Sequence, residues 1–177
     1  MITKRILIIG SPGTGKTSLI QSLKKKGYYC FDEISRQVII DAQKQGIEQL
    51  FVTEPQLFSE KLLEGRIEQF KNAESIDEEF IFYDRGIPDT VAYLDYIKST
   101  YPKKFVTACE TFQYHRVFIL KLWEAIYEQD NERYETIEEA RLIEQFLIST
   151  YKKYGYLLET VPFGSVRERT EFILNKI

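Results

Sequence analysis

The sequence predicts an α/β protein in which a parallel sheet is covered by helices on both faces. Short apolar runs alternate with longer amphipathic stretches along all 177 residues, and this alternation is typical of strands joined by crossover helices. The first apolar run, residues 5–9, is followed at once by a glycine-rich turn and a helical pattern. The length and a hydrophobic content of 44% suit a single domain over residues 1–177.

Each element follows from the spacing of apolar residues and from its end signals. Strands are predicted at 5–9, 28–31, 80–83, within 115–122 and at 156–159. Helices are predicted at about 15–26, 33–45, 55–73, from Pro88 onward, at 136–153 and after Ser165. The first helix ends in three lysines and Gly27, which is a common helix terminus. Ser165 and Glu168 have the spacing of a capping box.

The composition excludes several classes of protein. With 27 acidic and 24 basic side chains the net charge is −3, which argues against a nucleic-acid binder. Two distant cysteines and one histidine do not support a disulfide scaffold or a structural zinc site. No apolar run approaches the ~18 residues of a membrane span, and the first apolar run is too short for a signal peptide. We therefore expect a cytoplasmic monomer or homodimer.

The turn after the first strand carries the strongest functional signal. Residues 10–17 match the pattern GxxxxGK[ST] in full, between a strand and a helix, where the backbone N–H groups and the helix N-terminus can surround phosphates. Lys16 can reach the β- and γ-phosphates of ATP, and the Thr17 hydroxyl can bind Mg²⁺. The alternative is a glycine-rich turn that binds nothing. The predicted nucleotide contacts are Gly10, Pro12, Gly13, Thr14, Gly15, Lys16, Thr17 and Ser18.

Asp84 and Arg85 follow the apolar run at 80–83. An acidic residue at the end of such a strand can hold the metal, often through water, so Asp84 is a second candidate magnesium residue. The alternative is that Asp84 caps the next helix and Arg85 makes a surface ion pair. Arg85 cannot act as a general base but can hold an acceptor hydroxyl or a phosphate, which favours a transferase over a hydrolase.

Two further candidates lie after other strands. Glu33 follows the second strand and could accept a proton from an acceptor hydroxyl, or could instead be a first-turn acid or the partner of Arg36. Arg133 is a cation among acidic residues and could close over the transferred phosphate, or could only neutralise its neighbours. Residues 41–75 form an insertion where a small-molecule phosphoryl acceptor could bind. Trp123 and Tyr127 are expected to pack rather than to stack on a base.

Several motifs together resemble a known family. The phosphate loop is followed in order by EISR at 33–36, DRGIPD at 84–89, EQDNER at 128–133 and VPFGSV at 161–166. This set resembles the small AAA-type predicted ATPases that are similar to the ribosylnicotinamide kinase domain of the bifunctional NadR proteins. It is more distantly similar to deoxynucleoside and nucleoside monophosphate kinases. The resemblance covers nearly the whole chain.

The resemblance implies a three-layer P-loop NTPase fold with the strand order 2-3-1-4-5. It implies a lid within 123–141 that contains Arg133, and a turn at Pro162 close to the nucleotide base. Glu33 matches the position of the base in deoxynucleoside kinases, and Asp84–Arg85 matches their acid–arginine pair. Gly86 departs from the pattern, because those kinases usually have serine there, so the substrate contacts are expected to differ.

Two classes of function remain open at this point. In the first, ATP and Mg²⁺ supply a γ-phosphoryl group to a nucleoside-like or other small-molecule hydroxyl. In the second, the protein is an ATPase or a nucleotide-dependent regulatory protein with no such acceptor. The sequence has no Asn-Lys-x-Asp motif for guanine, which argues against a Ras-like switch. Acceptor-dependent formation of ADP would distinguish the two classes.

Overall fold

The computed structural model describes residues 3–126 and 136–177. Five parallel strands form one sheet in the order β2-β3-β1-β4-β5, which confirms the expected order. The strands are β1 (Lys4–Ile9), β2 (Tyr29–Phe31), β3 (Phe80–Asp84), β4 (Arg116–Leu120) and β5 (Leu158–Val161). The α-helices of the described ranges are α1 (Lys16–Lys25), α2 (Ser35–Lys44), α3 (Leu50–Thr53), α4 (Pro55–Asn72), α5 (Pro88–Tyr96), α6 (Lys103–Thr111), α7 (Ile137–Lys153) and α8 (Val166–Leu174).

The central strand β1 is buried on both faces, as its apolar sequence predicts. Leu7 faces a core formed with α4 to α7, where it meets Tyr83 and Tyr151. Ile8 faces the opposite core, which α1 and α8 complete. Successive side chains of a strand point to opposite faces, so a continuous apolar strand requires a layer of helices on each side. The result is the expected three-layer architecture.

The register of the sheet brings the functional segments to one edge. Ile8 of β1 pairs with Asp84 of β3, and Ile9 pairs with Ile119 of β4. Since all strands are parallel, the segments that follow β1, β2 and β3 leave the sheet at the same edge. No helix in the two described ranges is long and apolar enough to cross a membrane.

The last strand starts later than its sequence pattern predicts. Residues 156–159 were expected, whereas β5 spans Leu158–Val161. Tyr156 is buried in the turn before it, and its hydroxyl accepts a hydrogen bond from the Tyr114 N–H at 3.2 Å. The apolar character of Tyr156 therefore comes from the core rather than from strand pairing.

Two helices, α3 and α6, were absent from the sequence prediction. In α6 the buried residues Phe105, Ala108 and Cys109 have helical spacing, and Pro102 precedes its first turn. The helix has only nine residues, so its apolar face is short and its pattern is weak. The capping boxes at Thr136–Glu139 and Ser165–Glu168 are both formed, the second as predicted.

Candidate active site

The phosphate loop has a backbone that requires glycine. Gly13 and Gly15 have left-handed φ angles of 79° and 84°, which residues other than glycine adopt only at an energetic cost. A Cβ atom on Gly10 would lie 2.5 Å from the Leu120 carbonyl oxygen. These glycine conformations point successive backbone N–H groups of the loop to one side, which forms an anion-binding concavity at the start of α1. Thr17 and Ser18 lie exposed in the first turn of that helix.

Lys16 reaches back over this loop. Its Nζ donates hydrogen bonds to the carbonyl oxygens of Gly10 and Ser11, each at 2.8 Å, although the residue is only 7% exposed. Burial and the nearby charge of Arg85 lower the pKa of Lys16 to about 8. A triphosphate in the loop would supply anionic oxygens for this buried ammonium group, which fits the role predicted for Lys16.

Asp84 ends β3 beside the loop and has the features of a cation ligand. It is 6% exposed, and its Oδ1 atom is buried with no hydrogen-bond partner in the described part of the chain. Burial raises the pKa of Asp84 to about 6, against the opposing charge of Lys16. A divalent cation would satisfy the unpaired oxygen and favour the ionised form. The residues present therefore fit Mg²⁺ at this position.

Arg85 joins three parts of the site. Its Nε lies 2.8 Å from Oε1 of Glu33, and its Nη1 lies 3.5 Å from Oδ1 of Asp89. Nη1 also donates to the Gly10 carbonyl oxygen at 3.4 Å. Arg85 has a left-handed φ of 68°, an unusual and costly conformation for this residue type. Since its side chain is only 17% exposed, the alternative of a surface ion pair is wrong.

The charge of Glu33 is set by its neighbours. Burial alone would raise its pKa, but the charges of Arg85, Lys16 and Arg66 outweigh burial and lower the pKa to about 2. Glu33 is therefore an ionised carboxylate at neutral pH. It lies between β2 and α2, so the structure brings together Lys16, Glu33, Asp84 and Arg85, which the sequence analysis selected separately.

The site can be compared with known proteins. A family model described as an AAA domain matches residues 5–169. The chain belongs to the AAA domain family. Among curated protein sequences, none matches it significantly. The predicted resemblance to AAA-type proteins is thus confirmed.

Solved structures share the fold of this AAA domain at low sequence identity. A deoxyadenosine kinase from M. mycoides superposes with a TM-score of 0.72 and 18% identity, covering 97% of each chain. A thymidylate kinase from Candida albicans has a TM-score of 0.71 and 15% identity, covering 99% of this chain and 91% of the other. A shikimate kinase from Acinetobacter baumannii has a TM-score of 0.59 and 14% identity, covering 98% of this chain and 92% of the other. The domain therefore has a P-loop kinase fold.

Packing explains why this AAA domain has glycine at position 86. A Cβ atom there would lie 2.7 Å from Leu7 Cδ1 and 2.9 Å from the Tyr151 hydroxyl. That hydroxyl donates a hydrogen bond to Asp89, and the same carboxylate accepts the Gly86 N–H at 2.9 Å. Tyr151 of α7 thus occupies the space that a serine side chain would need. Sequence patterns place Tyr151 only on a buried helix face.

Arg169 is a site residue that the sequence analysis missed. It lies on α8, is 6% exposed and donates from Nη1 to the Thr14 carbonyl oxygen at 3.0 Å. A Cβ atom on Gly15 would lie 3.0 Å from its Nη2, so its guanidinium covers the back of the phosphate loop. Arg169 and Thr14 are 155 positions apart, and one of two arginines on a short helix gives no local signal for this contact.

The turn after β5, which contains Pro162, lies beside the phosphate loop. A surface hollow brings Pro162 and Phe163 of this turn together with Thr14, Trp123 and Arg169. The rings of Trp123 and Phe163 stack with their centroids 5.0 Å apart. The expectation that Trp123 packs is met, but with Phe163; Tyr127 lies outside the described residues.

The remaining residues considered in the sequence analysis lie away from the phosphate loop or outside the described residues. Arg133 and the rest of the lid segment 127–135 lie outside the described residues. His115 lies at the far edge, where its Nδ1 accepts the Arg5 N–H at 3.0 Å, and it has no contact with the loop in the described structure. The insertion at 41–75 contains α3 and α4. A groove of about 330 Å³ lies between α2 and α4 and is lined by Ile34, Gln37, Val38, Lys61, Gly65, Glu68, Gln69 and Asn72.

Proposed function

We propose that this AAA domain is an ATP-dependent kinase that phosphorylates a hydroxyl group of a nucleoside-like small molecule. The observation that carries the proposal is the contact of Arg85 with Glu33 at 2.8 Å and with the Gly10 carbonyl oxygen at 3.4 Å. Arg85 thereby holds a carboxylate beside the entrance of the phosphate loop. An acceptor hydroxyl between Glu33 and the loop would face the terminal phosphate.

The residues of the loop suit ATP and Mg²⁺. The backbone from Gly10 to Ser18 and the Lys16 ammonium would hold the phosphates, and Thr17 and Asp84 would hold the metal. When bound, ATP with Mg²⁺ supplies the phosphoryl group and an ADP leaving group. Within the described ranges no three His, Cys, Asp or Glu side chains form a metal cluster, so phosphate oxygens and water would provide most of the magnesium ligands.

Glu33 would act mainly by orienting the acceptor. A carboxylate with a pKa of about 2 is a weak base. Phosphoryl transfer usually passes through a loose transition state in which the attacking hydroxyl keeps its proton until late. Glu33 would accept a hydrogen bond from that hydroxyl and take the proton as the new P–O bond forms. Lys16 and Arg85 would stabilise the charge on the transferred group, and we extend that role to Arg133 from its sequence position.

The shared fold supports a kinase rather than a hydrolase. The three superposed proteins are a deoxyadenosine, a thymidylate and a shikimate kinase. The residue after Asp84 is Arg85, a buried arginine that contacts two carboxylates. An arginine can position a phosphate or an acceptor but cannot activate water as a base.

Acceptor-dependent ADP formation tests this proposal. ADP release from ATP and Mg²⁺ would be measured alone and with nucleosides, nucleoside 5′-monophosphates and ribosylnicotinamide, and the phosphorylated product would be identified by mass spectrometry. We expect at least one acceptor to raise ADP release and to gain one phosphate. Equal ADP release with and without every acceptor would indicate an ATPase. Nucleotide binding with no turnover would indicate a regulatory protein.

A further inference from the structure

Arg66 is a buried cation that the proposed reaction does not yet use. It lies on α4 and is only 3% exposed. Its Nε and Nη1 atoms are buried and have no hydrogen-bond partner in the described part of the chain. Burying a charge without hydrogen-bond partners is costly. A buried guanidinium with unpaired N–H groups therefore indicates a ligand that supplies the missing hydrogen-bond acceptors.

The middle of α4 lies against the segment that carries Glu33. Gln69, three residues after Arg66, donates to the Asp32 carbonyl oxygen at 2.9 Å. Gly65, the preceding residue, lies so close to Ile34 that an added Cβ atom would be 2.6 Å from Ile34 Cδ1. Arg66 is thus held beside the residues on either side of Glu33, and its charge helps to lower the pKa of Glu33.

The other cations that act on Glu33 already contact oxygen atoms of the protein. Arg85 is paired with Glu33 and Asp89, and Lys16 donates to two loop carbonyl oxygens. Ser59, two helical turns before Arg66 on the same face of α4, also has a buried Oγ atom with no partner in the described structure. The buried face of α4 therefore presents two side chains with unpaired polar atoms, and of these Arg66 lies near Glu33.

We propose that Arg66 binds the phosphoryl acceptor, and that this acceptor presents an oxygen atom, on a carbonyl, carboxylate or phosphate group, to the free N–H groups of Arg66. This inference rests on the proposed kinase function. A guanidinium has only donors, so it can be satisfied by oxygen acceptors and not by an amino group. Molecules without such an oxygen could offer Arg66 only ring nitrogens or hydroxyl groups, which are weaker acceptors for a cation, and would be disfavoured.

The test compares variants and acceptors in the same ADP-release assay. The variants are Arg66→Met, which removes charge and donors, Arg66→Lys, which keeps the charge, and Lys71→Met as a control at an exposed cation of the same helix. The acceptors are inosine and uridine, which have a ring carbonyl, adenosine, which has none, and nucleoside 5′-monophosphates, which add an oxyanion. Thermal unfolding of each variant is measured alongside.

We expect Arg66→Met to raise the acceptor KM by roughly 10- to 100-fold, the range for a hydrogen bond to a charged group. The KM for ATP should stay unchanged, Arg66→Lys should recover part of the loss, and Lys71→Met should behave like the wild type. The unfolding temperature of Arg66→Met should change little, because removing a buried guanidinium without hydrogen bonds offsets the loss of its attraction to Glu33. Which acceptors work distinguishes a carbonyl from a phosphate partner.

Three results would overturn the inference. The first is an unchanged acceptor KM in Arg66→Met. The second is wild-type activity restricted to acceptors without such an oxygen, such as adenosine. Both would leave the kinase function standing. The third is a wild-type protein that phosphorylates nothing in the panel, which would remove the proposed function and this inference together and would be evident before any variant is made.

Discussion

Arg85 Nε lies 2.8 Å from Glu33 Oε1, and this contact joins the segment after β3 to the segment after β2. The two strands are neighbours in the sheet, so their carboxyl ends place the two side chains side by side. Arg85 adopts a left-handed φ of 68° to make this contact and the one with Gly10. The strained backbone and the low exposure of Arg85 distinguish this pair from a surface ion pair, and in the proposed mechanism Arg85 positions the carboxylate.

We expect Glu33→Gln to slow phosphoryl transfer by about 10²- to 10⁴-fold, the usual effect of losing the group that accepts the proton of the nucleophile, because the variant can neither orient the acceptor hydroxyl as well nor take its proton. Nucleotide affinity should change little, because Glu33 lies on the acceptor side of the loop. Single-turnover transfer and equilibrium binding of ATP would measure the two effects. Asp32→Asn is the matched control, since Asp32 is exposed and pairs with Lys24 at 2.6 Å. Transfer at the wild-type rate in Glu33→Gln would remove Glu33 from the mechanism.

We expect nucleotide binding to take up a proton in mildly alkaline solution. Burial lowers the pKa of Lys16 to about 8, so above that pH the free protein holds much of this side chain uncharged. Bound phosphates favour the ammonium form, raise its pKa and draw in a proton, and ATP affinity therefore falls as the pH rises through about 8. Calorimetry in two buffers of different ionisation enthalpy measures the uptake.

The variant Lys16→Met tests the same role of Lys16 in nucleotide binding. It should abolish nucleotide binding without unfolding the protein, because a buried charge is replaced by an apolar chain of similar length. Lys24→Met, at an exposed lysine of the same helix that pairs with Asp32, should bind ATP normally. Proton release instead of uptake, or ATP binding of wild-type strength by Lys16→Met, would contradict the role given to Lys16.

We expect Gly86→Ala to destabilise the protein by about 1–3 kcal/mol, the usual cost of overpacking a core. The new methyl group would collide with Leu7 and the Tyr151 hydroxyl. Tyr151→Phe removes that hydroxyl, so the same substitution should cost less in the Tyr151→Phe background. Denaturant unfolding of the four proteins gives the coupling energy. Strictly additive effects would show that the hydroxyl is not what excludes a side chain at position 86.

We expect Arg169→Met to weaken ATP binding by roughly 10-fold, the value of one charged hydrogen bond, because the loop loses its contact at Thr14. Trp123 is the only tryptophan of the chain and lies beside Arg169 in the surface hollow, so its fluorescence can follow binding. Arg167→Met is the control, since Arg167 is exposed and pairs with Glu171 on the same helix. Equal ATP affinities of the two variants would exclude an effect of Arg169 on the loop.

The local features of this protein follow from its sequence alone. The phosphate loop, the buried strand β1 and the capping box at Ser165 are each encoded within about ten neighbouring residues, because hydrogen bonding and side-chain periodicity act over that range. Asp84 at the end of β3 follows in the same way from the apolar run before it. The strand order followed from the family resemblance, which depends on several such local motifs occurring in one order.

The tertiary structure alone decided which of these residues touch. Arg85 contacts Glu33 rather than solvent because β2 pairs with β3, and Arg169 reaches Thr14 because α8 packs on α1. The unpaired guanidinium of Arg66 and the space taken by Tyr151 at Gly86 likewise depend on how whole helices pack on the sheet. A residue's own neighbours in sequence do not determine such contacts, since the partners lie tens of residues away and meet only when the layers assemble.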